Sequence, residues 1–174
     1  MSDFLQNVTG AQDPLRKLVS YIPGFGGYID RENRRSADKL LRDTVARRFE
    51  TLVKRLSALQ ADLISQGGIE FMDDMEKAAI QLRTFADKIR NATYGYSGFF
   101  DAVKINEEEL AKLYAFDSAF FQLGDNINQA LDTVENNLGN PDGLPAAIRN
   151  LVTMAREATQ TYDRRYEVIT GSGQ

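Results

Sequence analysis

The spacing of apolar residues constrains the fold of this chain more than any other feature. Between residues 31 and 65, apolar side chains recur every three or four positions, which is the period of a helix that buries one face. Three further segments, at about 69–92, 106–138 and 145–170, show the same period. In the first segment the recurring residues are Leu41, Val45, Phe49, Leu52, Leu56, Leu59 and Leu63. The alternating pattern of β-strands is essentially absent, so the sequence predicts four long helices.

Turn signals separate these segments. Gly67-Gly68 ends the first, and 139-GNPDG-143 stands before the fourth. Because only a short turn joins the first two helices, we predict that they are antiparallel neighbours. Asp13-Pro14 is typical of a helix start and precedes a shorter apolar face that ends before Pro23.

These patterns together predict an all-α fold, an up-down-up-down four-helix bundle with a short N-terminal helix. A chain of 174 residues is of the size of one domain. We therefore predict a single domain over 1–174, with frayed ends at 1–12 and 171–174.

Two residue types that carry much of enzyme chemistry are missing from the chain. It contains no cysteine and no histidine, which excludes disulfides, thiolate metal sites, cysteine nucleophiles and Ser-His-Asp triads. The acidic run Asp73-Asp74-x-Glu76 suits the positive end of a helix dipole, so we interpret it as a solvated helix start and not as a metal site. We assign no catalytic residue, cofactor or metal ligand, and we expect a protein that is not an enzyme.

Charge and hydropathy indicate the compartment and the class of partner. The chain begins without a basic and apolar leader and has no apolar run of ~18 residues, so we expect a cytoplasmic protein. The net charge is −4, which disfavours non-specific nucleic-acid binding. The N-terminal helix is short, and we favour its docking on the bundle over contact with a membrane surface. No pattern indicates the oligomeric state.

The predicted topology brings two segments rich in glycine and aromatic residues to one end of the bundle. The segment 21-YIPGFGGYI-29 precedes the first long helix, and 94-YGYSGFF-100 follows the second. We call the end where they meet the near pole, and the opposite end the far pole. The candidate residues for binding a partner or ligand there are Phe25, Tyr28, Arg31, Arg34, Arg35, Tyr94, Tyr96, Phe99 and Phe100. The aromatic rings either plug the open end of the core or present a binding surface.

The arginines of this set stand where the helix dipole disfavours cations. Arg31, Arg34 and Arg35 fall in the first turns of the first long helix, so they are expected to meet either internal carboxylates or an external anion. Our leading hypothesis is an interaction or scaffold protein that binds an unknown protein partner through the near pole. The alternative is a bundle that binds a small anionic ligand or a lipid headgroup there.

Asp117 is a charged residue at a position where the helical spacing predicts an apolar one. It falls between Leu113 and Phe120, where an unpaired buried carboxylate would be costly. Counting residues along the predicted helices places Arg83 and Arg42 at the same height, and we predict an ion pair between Asp117 and Arg83. We interpret this pair as structural, with a functional carboxylate in a cavity as the alternative.

The chain resembles a family of small bacterial helical proteins without an established activity. The residues that carry the resemblance are 22-IPGFGGY-28, 34-RR-35, 38-DKLLRD-43 and 94-YGYSGFFDAVKI-105. The resemblance covers under a third of the chain, and it implies a bacterial cytoplasmic protein without implying a mechanism.

Overall fold

A computed structural model describes residues 12–26, 34–92 and 107–170 of the chain, and within them the side chains of 16–26, 38–92 and 112–167. Over these residues the chain forms five α-helices and one short 3₁₀ turn. The helices are α1 (Gln12–Tyr21), α2 (Arg34–Ser65), α3 (Met72–Arg90), α4 (Glu107–Asn136) and α5 (Leu144–Thr170), and the 3₁₀ turn is Ile69–Phe71. The predicted all-α bundle with a short N-terminal helix is confirmed. The predicted frayed ends lie outside the described residues, except Gln12, where α1 begins.

The apolar seams that predicted the helices form one continuous core. Side chains such as Val45, Phe49 and Leu56 of α2 are fully buried, as are Leu82 and Phe85 of α3. A single cluster of buried residues runs through all five helices, so the described helices share one core. None of the described helices is long and apolar enough to span a membrane.

The turns at the far pole follow the glycine signals in the sequence. Gly67 adopts φ +83°, a conformation that side-chain-bearing residues rarely adopt. The amide of Gly68 then donates to the carbonyl of Leu63 at 2.8 Å and closes the end of α2. The α2 and α3 helices emerge from this turn as the antiparallel neighbours that the short connection predicted.

The order of the helices around the bundle was not predicted. The helix α2 packs against α3 and α4, while α5 packs against α4 and α3. Hence α3 and α4, although consecutive, occupy opposite corners, as do α2 and α5. The bundle therefore consists of two helical hairpins, α2–α3 and α4–α5, placed side by side with their directions parallel.

The short helix α1 packs mainly on α4. It buries Leu18 and is followed by a turn that buries Ile22 and Phe25. Tyr21 stacks on Phe121 with ring centroids 4.6 Å apart and donates its hydroxyl proton to Asp125 at 2.8 Å. The predicted docking of this helix on the bundle is thus confirmed for its described residues.

Candidate functional site

The long helices begin and end at the poles that the predicted topology gives them, and contacts between helix ends show this at the near pole. Arg42, near the start of α2, donates to the carbonyl of Arg90 at the end of α3 at 3.1 Å. Arg165, near the end of α5, binds Asp117, near the start of α4. The starts of α2 and α4 and the ends of α3 and α5 therefore lie at one end of the bundle. Tyr21, which the prediction placed at this pole, lies instead beside Arg48 and Asp125, about midway along α2 and α4.

Of the nine residues proposed to bind a partner or ligand, Phe25 is the one whose side chain the structure describes. It is fully buried in the core, so its proposed role in an exposed binding surface is wrong. A ring of this size removes a large apolar area from water, which explains its inward position. The predictions for Tyr28, Arg31, Arg34, Arg35, Tyr94, Tyr96, Phe99 and Phe100 lie outside the described side chains.

Four charged side chains form a buried cluster just inside the near pole. We call it the ionic cluster, and its members are Asp38, Arg42, Asp117 and Arg165. Arg165 donates from Nε to Asp117 at 2.6 Å and from Nη2 to Asp38 at 3.3 Å. The other carboxylate oxygen of Asp38 accepts from Nε of Arg42 at 2.8 Å. The two carboxylates and two guanidinium groups balance in charge, which suits a site that excludes water.

The burial of this cluster is nearly complete. Asp117 is 3% exposed and Arg165 is 1% exposed. Burial, reinforced by the nearby Asp38 carboxylate, raises the pKa of Asp117 well above its usual range, while Arg42 acts in the opposite direction. Burial likewise lowers the pKa of Arg165 to about 10, against the attraction of Asp38. Both shifts have the same cause, because the charged form of each group loses its hydration.

The predicted pairing of Asp117 with Arg83 is wrong. Asp117 is buried and bound to an arginine as expected, but that arginine is Arg165. Arg83 instead binds Glu76 of its own helix at 3.2 Å, and both side chains are about half exposed. Height along a helix does not fix the direction in which a side chain points, and α3 lies diagonally opposite α4 in the bundle.

A signal for Arg165 was present in the sequence. The buried residues of α5 include Ala155, Ala158 and Tyr162, and the same spacing of three and four leads next to Arg165. The seam of α2 likewise continues upstream from Val45 through Arg42. A charged residue in phase with an apolar seam indicates burial and a partner, and here such residues occur on three helices.

An aromatic layer lies directly beneath the ionic cluster and takes one ring from each long helix. The ring of Phe85 lies 4.2 Å from that of Phe49 and 5.1 Å from that of Phe120, measured between centroids. Tyr162 meets Phe85 edge to face at 6.3 Å. These contacts form a packed aromatic layer across the centre of the bundle, next to the ionic cluster.

A second polar cluster lies where α1 meets the bundle. The side chain of Arg48 bridges from α2 to Asp125 of α4, and its guanidinium carbon lies 5.5 Å from the ring centroid of Tyr21. A Cβ atom on Gly124 would lie 2.7 Å from Nε of Arg48. The glycine in the seam of α4 therefore makes room for this arginine.

The described residues were compared with the arrangement that a metal ion requires, and one groove lies on their surface. Among the described residues no group of three or more acidic side chains is placed to hold a metal ion. A shallow groove of about 300 Å³ between α2 and α3 is lined by Glu50, Val53, Lys54, Arg83, Ala86 and Asp87. Its charges alternate in sign, and it does not reach the ionic cluster.

The near-pole surface combines an aromatic ring with opposite charges. Tyr166 of α5 is 47% exposed, and one turn earlier Asp163 accepts a hydrogen bond from Lys88 of α3 at 3.0 Å.

Comparison of the chain with known protein families, curated proteins and solved structures gave no match. The inference of function therefore rests on the arrangement of the chain's own residues.

Proposed function

We propose that this chain is a non-enzymatic interaction protein that binds a protein partner through its near pole. The observation that supports the proposal is the ionic cluster, which ties together the ends of all four long helices at that pole. Asp38 and Arg42 belong to α2, Asp117 to α4 and Arg165 to α5, while the Arg90 carbonyl belongs to α3. The helix ends at the near pole are thus held rigidly together. A rigid surface favours binding because little conformational entropy is lost on association.

The sequences rich in aromatic residues adjoin, along the chain, the helix ends that meet at this pole. Residues 27–33 connect to α2, and residues 93–106 connect α3 to α4. They include Tyr28, Tyr94, Tyr96, Phe99 and Phe100 together with Arg31. Aromatic and arginine side chains are the residue types most enriched at the energetic centres of protein interfaces.

The ionic cluster itself favours a structural role over a chemical one. Asp117 is the carboxylate that the sequence marked as a possible functional group, and its side chain is 4% exposed and bound to Arg165. A general acid or base must exchange protons with a substrate or with water. A bacterial origin and a cytoplasmic location, which the family resemblance implies, are part of the same proposal.

The test compares partner capture by matched variants. The chain carrying Tyr94→Ala and Tyr96→Ala is expected to lose the proteins that the wild type retains from lysate of its native cells, as identified by mass spectrometry. The control is Ile80→Ala, since Ile80 is an exposed side chain in the middle of α3. Circular dichroism and thermal unfolding establish that each variant folds.

Two results would contradict the proposal. Retention of the same proteins by the tyrosine variant would remove the near pole as the binding surface. Unfolding of that variant would show that Tyr94 and Tyr96 belong to the core as Phe25 does. The alternative, an anionic ligand, is tested with vesicles containing anionic lipids and with inorganic phosphate. Binding of either that disappears in Arg34→Glu/Arg35→Glu would favour it.

A further inference from the structure

The turn between α4 and α5, at the far pole, contains the single Asp-Gly sequence of the chain, Asp142-Gly143. Both residues lie outside the helices, and Asp142 is exposed. Every other aspartate that the structure describes lies within a helix, where the regular backbone fixes the carboxyl group relative to the next amide. Asp142 is therefore the described aspartate whose surroundings differ from those of the rest.

The packing of this turn requires a glycine at position 143. A Cβ atom there would clash with Oδ1 of Asn137 and would lie 2.7 Å from Nδ2 of Asn140. The Asn137 side chain is held in that place, because it donates to the carbonyl of Thr133 at 2.8 Å and accepts from Nδ2 of Asn140 at 3.0 Å. A larger residue at 143 would displace this pair, so the glycine after Asp142 has a structural reason.

The backbone amide of Gly143 has no part in the hydrogen bonds that shape the turn. The amide of Asp142 donates to Oδ1 of Asn140 at 3.2 Å, and the amide of Leu144 donates to the Asn140 carbonyl at 3.1 Å. Between these two, the Gly143 amide donates to no backbone carbonyl of the described residues. No helical hydrogen bond therefore holds this nitrogen away from the Asp142 carboxyl group beside it.

We infer that Asp142 is a site of spontaneous covalent modification, at which aspartate converts to isoaspartate through a cyclic succinimide. The amide nitrogen of Gly143 forms a bond to Cγ of the protonated Asp142 carboxyl group, and the carboxyl hydroxyl leaves with the amide proton as water. Water then opens the ring. Cleavage of the bond from the nitrogen to Cγ restores aspartate, whereas cleavage of its bond to the main-chain carbonyl carbon leaves the main chain passing through Cβ and Cγ. The net reaction is an isomerisation that needs no oxidant, reductant or cofactor.

The product changes the start of α5. It lengthens the main chain by one carbon atom between Asp142 and Gly143, so the hydrogen bonds of Asp142 and Leu144 to Asn140 no longer fit together. We expect the first turn of α5 to fray at the far pole. The inference is independent of the proposed function, which concerns the opposite end of the bundle.

Incubation of the purified full chain at neutral pH and physiological temperature tests the inference. Cleavage after glutamate releases the peptide 136–157, in which Asp142 is the only aspartate. We expect a second form of this peptide that has the same mass, separates by chromatography, accepts a methyl group from an isoaspartyl methyltransferase and increases with time. The equal mass distinguishes it from deamidation of an asparagine, which changes the mass. A peptide that stays in one form over several weeks would overturn the inference.

Two sets of variants test the roles of Asp142 and Gly143. Asp142→Glu keeps the charge but requires a larger ring, so the second form should be absent. Asn137→Ala removes the side chain that a Cβ atom at 143 would meet, and this variant should still form isoaspartate. Asn137→Ala/Gly143→Ala should form much less, because the new Cβ hinders the approach of the nitrogen to Cγ. Equal rates in these last two variants would contradict the role of the glycine.

Two comparisons tie the reaction to the folded turn. Asp163, whose side chain is 54% exposed within α5, should remain aspartate in the peptide 158–167 under the same conditions. The melting temperature of the aged wild type should fall below that of the fresh protein, whereas that of Asp142→Glu should not change. An equal fall in both proteins would contradict the expected fraying of α5. Isoaspartate that forms in concentrated urea but not in the folded chain would overturn the inference.

Discussion

Replacement of Arg165 by methionine tests the energetic role of the ionic cluster. The change removes the 2.6 Å bond to Asp117 and the 3.3 Å bond to Asp38, and it leaves Asp117 buried without its guanidinium partner. Removing one member of a buried pair costs about 3–5 kcal/mol. For a chain of this length each kcal/mol corresponds to roughly 2–4 °C, so the melting temperature should fall by about 6–20 °C. Asp117→Leu leaves two arginines on Asp38 and should also be strongly destabilising.

The double variant Asp117→Leu/Arg165→Met gives the sharper result. Both charges are removed and the space is refilled with apolar atoms, so its stability should lie close to that of the wild type or above it, as for other buried ion pairs replaced by apolar residues. Urea unfolding followed by circular dichroism measures all four proteins of the cycle. As a control, Lys88→Ala removes a pair with Asp163 that is about half exposed and should cost at most ~1 kcal/mol. A double variant that loses the sum of the two single losses would refute the coupling.

Three further predictions follow from buried or crowded positions. Phe25→Ala should cost about 3–5 kcal/mol in urea unfolding because it empties a fully buried site, and a loss below ~1 kcal/mol would contradict its burial in the core. Gly124→Ala should stabilise an Arg48→Ala background by up to about 1 kcal/mol, the helix preference of alanine over glycine. In the wild type the gain should be smaller, because the new Cβ would lie 2.7 Å from Nε of Arg48, and an equal gain in both backgrounds would show that Arg48 moves freely. Burial raises the pKa of Asp117, so the folded chain holds that proton more tightly than the unfolded chain. The stability of the wild type relative to Asp117→Asn should therefore be greatest below about pH 4 and fall as pH rises through the raised pKa, and urea unfolding that shows a rising difference would contradict the shift.

The helices and their core faces were predictable because apolar periodicity is a local property. The seam from Leu41 to Leu63 indicated α2, and those residues are all buried. The glycines at 67 and 68 indicated the turn, and the structure shows a left-handed residue there. Each of these inferences needed only residues that are close together in the sequence.

The partner of Asp117 was not predictable in the same way. It depends on which helices are neighbours and on how each helix is rotated about its axis, and both are set by packing between distant segments. Residue counting gave the height of Asp117 in the bundle and its need for a cation. It did not give the diagonal placement of α3, which directs Arg83 to Glu76 at the surface.

The far pole was undervalued for a related reason. The turn between α2 and α3 was recognised, and neither Ile64 nor Ile69 was assigned to an apolar seam, but no exposed apolar surface was predicted there. An isoleucine next to a turn is apolar in any sequence pattern, and its 54% or 72% exposure emerges only when the turn geometry is known. Sequence patterns therefore located the connection but not its surface.

The pairing of helices into two parallel hairpins has a consequence for the order of folding. Each hairpin is built from contacts that are local in sequence, and such contacts form early because little loop entropy is lost. The first hairpin carries Arg42 with Asp38, and the second carries Arg165 with Asp117. Each hairpin therefore contributes one carboxylate and one guanidinium group to the ionic cluster, and these charges balance within the hairpin. Docking adds the bond from Arg165 to Asp38, so if the two hairpins form first, no charge of the cluster is enclosed without a partner.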